Sequence, residues 1–131
     1  MDADRLGEGA RRLLSEHITS VGQLEVLLLL LGAEGRWVRP ASVADELRGS
    51  VEGTRTHLEL LVRSGLARKR GTEEFALAQV TDSQREVLTS LRVAYRDRMH
   101  TVIDFIYSRP SQPLKDFADA FLFRKGEKDD A

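Results

Sequence analysis

Cysteine is absent from this chain of 131 residues. Its absence excludes a disulfide framework, a thiolate metal site and a thiol nucleophile. Long hydrophobic runs are missing as well. The longest, the leucines Leu27 to Leu31 with Val26 before them, falls far short of the roughly 20 apolar residues that a membrane-spanning helix needs. The first residues, Met1-Asp2-Ala3-Asp4, are acidic where a secretory signal is basic, so a cytoplasmic location without membrane contact is expected. Nor does the sequence contain the glycines of a phosphate-binding P-loop, the nucleophile elbow of a hydrolase or a dinucleotide fingerprint. Candidates for chemistry are few. Of the three histidines, only His100, with Asp104, has the i, i+4 placement of a helical metal pair, and two ligands make a poor site. Asp45-Glu46 and Glu73-Glu74 are neighbouring carboxylates with no visible partner base. No enzyme activity, metal or cofactor is expected.

A surplus of positive charge is also lacking. Lys and Arg number 20 against 21 Asp and Glu, a net charge of −1, whereas a nucleic-acid binder is often basic overall. Any electrostatic argument must therefore be local. Between Arg36 and Ala78 eight bases (Arg36, Arg39, Arg48, Arg55, Arg63, Arg68, Lys69, Arg70) stand against six acids (Asp45, Glu46, Glu52, Glu59, Glu73, Glu74), an excess of two.

What is present is helical periodicity. Hydrophobic residues make up 41% of the chain and charged ones 31%, a globular balance, and one core suffices at this length. Leu6, Ala10, Leu13, Leu14 and His17 recur at helical spacing up to about Ile18-Thr19. Ser20-Val21-Gly22-Gln23 has the form of a capping box. The following helix, with Leu24, Leu27, Leu28 and Leu31 inward and Leu29 and Leu30 making it apolar nearly all round, reads as the central buried helix, ended by Gly32. Arg36-Trp37-Val38 is a short β-prone piece in which Trp37 is expected in a core or interface, and Pro40 suits the first position of a helix. That helix, Pro40 to Arg48, puts Val43, Ala44 and Leu47 on one side. Gly49-Ser50 breaks it, Ser50 caps the next, and Thr54, Leu58, Leu61 and Val62 share the inner face of a helix ended by Gly65. Leu66 to Arg70 and Glu74 to Ala78 then read as two strands around Gly71-Thr72-Glu73.

From Ala41-Ser42-Val43-Ala44-Asp45-Glu46-Leu47-Arg48-Gly49-Ser50 through His57-Leu58-Glu59-Leu60-Leu61-Val62-Arg63-Ser64-Gly65-Leu66, the chain resembles the winged helix-turn-helix of bacterial transcription regulators, in a dimeric MarR/PadR-like layout. The resemblance covers about Ser20 to Ala78. Its carriers are Ala44, midway in the first helix of the motif, and Leu58, Leu61, Gly65 and Leu66, which close the recognition helix into the wing. The departure is Gly53, which costs about 1 kcal/mol relative to Ala near the start of that helix. The resemblance implies a sequence-specific, DNA-binding transcription regulator. Expected contacts with double-stranded DNA are Arg55, Thr56 and Arg63 on the recognition helix and Arg68, Lys69 and Arg70 on the wing.

The second half differs. From Asp82, a candidate N-cap, to about Tyr107 there is no Gly or Pro, and Leu88, Leu91, Tyr95, Met99, Val102 and Ile106 repeat near 3.6 residues. A single helix of roughly 39 Å is expected. With Val93, Ile103 and Phe105 off this stripe, there is more apolar surface than a small motif covers, and a second copy is the expected cover, making the stripe a homodimer interface. A last helix, from Pro113 to about Lys125, carries Leu114, Phe117, Ala118 and Phe121 on one face. The expected organisation is therefore a mainly helical fold with a small hairpin wing: a winged helix-turn-helix domain over 1–80, a dimerisation region over 81–125 and a charged, disordered tail over 126–131. The near-neutral charge and Phe117, Phe121 and Phe123 also fit an alternative, a winged-helix module that binds another protein through its C-terminal helix. On the recognition helix, the i, i+4 spacings Arg55–Glu59 and Glu59–Arg63 fit plain helix-stabilising pairs.

Overall fold

Two corners set the first half of the fold in the computed structural model, which describes residues 6–108. Helix α1 (Glu8–His17) turns at Ile18-Thr19-Ser20 into α2 (Val21–Gly32), the two axes being bent by 120°. Ser20 caps α2 as expected, its Oγ accepting from the Gln23 N–H at 3.1 Å. The other half of the capping box is replaced. Gln23 Oε1 reaches one residue further back, to the N–H and Oγ1 of Thr19 at 3.0 and 3.1 Å, and its Nε2 donates to the His17 carbonyl at 2.9 Å. Gln23 is buried, so it clamps the corner and satisfies the carbonyl that α1 leaves open.

The run of leucines puts α2 at the centre. Leu24, Val26, Leu27, Leu30 and Leu31 are buried, while Leu28 and Leu29 are half-buried. The helix stops at Gly32, and the reversal that follows is made at Gly35, whose φ of 89° suits a residue without Cβ. Helix α3 (Pro40–Leu47) starts on Pro40 and buries Val43 and Ala44. Its end is a Schellman motif in which the Gly49 N–H bonds the Ala44 carbonyl at 2.9 Å and the Arg48 N–H bonds that of Asp45 at 3.3 Å. The left-handed position belongs to Arg48, with φ 60°, not to the adjacent Gly49.

Helix α4 (Val51–Arg63) begins at Ser50, whose Oγ accepts from Gly53 N–H at 3.0 Å. Here Gly53 has a local reason, because a Cβ on it would sit 2.9 Å from the Ser50 Oγ. Thr54, Leu58 and Leu61 are buried, and α4 packs against α2, α3 and the first strand. The helix closes at Gly65, with φ 82°. Strands β1 (Ala67–Arg70) and β2 (Glu74–Leu77) pair antiparallel with Lys69 opposite Phe75 and Arg70 opposite Glu74. Val38 adds a short third rung. Its N–H and carbonyl exchange bonds of 2.8 Å with those of Phe75.

The long helix is two helices. Thr81, not Asp82, is the N-cap, in a complete capping box with Gln84, and α5 (Asp82–Asp97) ends at Arg98, with φ −137° and ψ 56°, before α6 (Met99–Ser108). No Gly or Pro causes the break. With the break in place, Val102 and Ile106 are 0% and 3% exposed within this chain. Burying two such side chains stabilises by about 1.5–3 kcal/mol each, more than the roughly 1 kcal/mol of an interrupted hydrogen bond. The return is fixed where the Val21 N–H donates to the Tyr107 Oη at 3.1 Å.

This rearrangement corrects the expected dimer stripe. Leu88, Leu91, Val102 and Ile106 belong to the chain's own core. Tyr95 is half-buried and donates from its Oη to Glu25 at 2.8 Å, and burial together with that bond pushes its pKa up to about 12. Only Met99 is exposed. The expected helix from Pro113, with Leu114, Phe117, Phe121 and Phe123, and the charged tail lie outside the described residues.

Candidate nucleic-acid interface

Strand alternation decides which wing residues face out. Lys69, opposite Phe75, shares the face of that fully buried ring, and this face lies against α4. Arg68 and Arg70 take the other face, together with Ala76 and Glu74. The run Arg68-Lys69-Arg70 is thus split: Lys69 lies 5.4 Å from the Phe75 ring centroid and pairs with Glu59 of α4.

The residues of α4 expected to contact DNA are equally particular. Arg55 does not pair with Glu59, the i, i+4 partner expected from spacing, but reaches the hairpin loop. Its Nη1 and Nη2 donate to the two carboxylate oxygens of Glu73 at 2.7 and 3.1 Å. This bidentate bond occupies the edge that a guanine or phosphate would need. It holds the Glu73 carboxyl below the usual carboxylate range, with Arg39 and Lys69 adding to the effect. The Thr56 hydroxyl donates back to the Glu52 carbonyl at 3.1 Å. Arg63 is exposed in the last turn of α4. Two ion pairs, Arg55–Glu73 and Lys69–Glu59, therefore stitch α4 to the wing. Glu73 and Glu74, adjacent in sequence, diverge across the hairpin, since Glu74 pairs with Arg70.

On the outer face, both remaining wing arginines meet one ring. The guanidinium carbons of Arg68 and Arg70 lie 4.9 and 4.4 Å from the centroid of Trp37. Trp37 follows from alternation, because Val38 opposite Phe75 must point inward and its neighbour outward. Its role was hidden in the sequence because a one-residue bridge leaves almost no strand pattern. Glu59 and Glu73 were hidden because their partners are distant in sequence.

One more ionisable group lies behind α4. His57 packs against the first turn of α2, where a Cβ on Gly22 would meet its Nε2 at 2.7 Å, and its buried Nδ1 has no hydrogen-bond partner among the described residues. Burial lowers its pKa. Among the described residues no three His, Asp or Glu side chains converge to hold a metal ion, and no single helix is long and apolar enough to cross a membrane. In comparisons with known proteins, no family and no curated protein matches the chain.

Proposed function

We propose that the chain binds double-stranded DNA as a winged helix-turn-helix protein, acting as a homodimer in transcription regulation. The observation that carries this reading is the disposition of α4. It is held from behind by α2 and α3 and flanked by β1, so that Glu52, Thr56 and Arg63 stay exposed beside a hairpin whose outer face carries Arg68 and Arg70. A helix supported in this way can enter a major groove while the hairpin follows the backbone. Phosphates must then compete with Glu59, Glu73 and Glu74 for cations that these acids already hold, so binding is expected to be weak and strongly salt-dependent. A second copy would cover Val93 and Met99, which stay exposed on α5 and α6.

A second reading, a protein-interaction module, is favoured by one specific observation, the neutralisation of Arg55 and Lys69 by acids of the same chain. Fluorescence anisotropy with a random-sequence duplex at low salt separates the two. Measurable binding that fades as salt rises supports DNA, and no binding at low salt leaves the protein module. Light scattering should give about twice the 14.7 kDa chain mass. A monomer at micromolar concentration would remove the homodimer from the proposal.

A further inference from the structure

We infer that Trp37 is a positioning residue that holds Arg68 and Arg70 as a paired guanidinium site for phosphates of a DNA backbone; this rests on the DNA-binding reading above. Each Nε is already tied to β2. Arg68 Nε donates to the Leu77 carbonyl at 3.3 Å and Arg70 Nε to Glu74 Oε1 at 2.8 Å. With Trp37 against both guanidiniums, what remains free on each is the Nη edge, which donates to no acceptor among the described residues.

That edge carries two parallel N–H donors in a fixed fork, the geometry that fits phosphate oxygens. A long side chain normally loses its rotamer freedom when it binds, and the indole and the Nε bonds impose that loss beforehand. The contrast with the other residues expected to touch DNA is direct. Arg55 has its Nη edge filled by Glu73, and Lys69 is turned to Glu59. The Glu74 carboxylate beside Arg70 offsets one charge but takes only the Nε.

Trp37 is the only tryptophan in the chain, so its emission reads this site without a label. The full chain is titrated with a random-sequence duplex at low salt, following anisotropy of the labelled duplex and tryptophan emission together. Emission is expected to change along the same isotherm as anisotropy. R68K/R70K keeps both charges but loses the forks, and should weaken binding about ten-fold. W37L should weaken it comparably and flatten the salt dependence by about 0.9 in log–log slope for each phosphate that is no longer neutralised, while W37F should keep most of the affinity. If anisotropy reports binding but emission stays still and both W37L and R68K/R70K bind like the parent, the clamp is wrong and the DNA reading stands. If the duplex does not bind at all, the reading and the clamp fall together. Emission that responds to poly-glutamate but not to duplex would assign the pair to a carboxylate partner and overturn the proposal. Should circular dichroism show W37L unfolded, R68K/R70K, changed only at exposed side chains, decides.

Discussion

Arg48 occupies a left-handed backbone position that a side chain enters at a cost of about 1–2 kcal/mol. Glycine is free of that cost, and Gly49 stands one residue too late to take the position. Arg48→Gly is therefore expected to stabilise the fold by about 1 kcal/mol, seen as a higher thermal midpoint; a lower midpoint would mean that the arginine side chain stabilises the fold by more than the strain costs. His57 offers a pH test. Its folded-state pKa lies below the ordinary value of 6.5 because burial penalises the charged ring. The unfolded chain therefore takes up a proton first, and stability that is complete above pH 6.5 falls as pH drops toward the folded value. The midpoint of the parent should decline as pH falls below 6.5, and His57→Gln should flatten the part of that decline that precedes carboxylate titration.

At the scale of elements, the break at Arg98 is the largest departure from the sequence reading. The period of Leu88, Leu91, Tyr95, Met99, Val102 and Ile106 is helical throughout, and no Gly or Pro marks a stop. Periodicity records which residues want burial, and it is silent on whether the cover comes from a second chain or from the same chain folded back. Here most of the stripe is covered from within. Ile106→Ala should lower stability by about 2–5 kcal/mol and leave any dependence of the thermal midpoint on protein concentration as it is in the parent. A midpoint that rises with concentration in the parent, and loses that dependence in the variant, would return Ile106 to an intermolecular interface. The starts of α2, α3 and α4 were legible because caps and Pro40 act locally. Thr81 was missed because Asp82 beside it is an equally good N-cap by composition.

For the whole molecule, the decisive feature of the α4–wing face is that its charges are spent on one another. Glu59→Gln with Glu73→Gln should free Lys69 and Arg55 and tighten binding to a random duplex at low salt by about five-fold. Glu8→Gln with Glu86→Gln changes net charge equally on α1 and α5, away from this face, and should do much less. If the two pairs of substitutions act alike, net charge governs binding and the ion pairs are incidental. If neither variant binds duplex, the face serves another partner.

Local sequence was enough to dictate the elements and their order: four helices and a hairpin up to Leu77, with the boundaries set by Ser20, Pro40, Ser50, Gly65 and Gly71, because caps, turns and apolar periodicity act within a few residues. It also identified most of the buried stripes of α2, α3 and α4. Three features came only with packing across the fold. Arg55 turned from the i, i+4 acid to Glu73, because a two-point bond across the fold outcompetes a single-point contact along one helix. The cation run divided between two faces, because the pairing of Lys69 with Phe75 fixes which way each side chain points. The second half bent at Arg98, because burial of Val102 and Ile106 in the same chain outweighs the hydrogen bonding interrupted there.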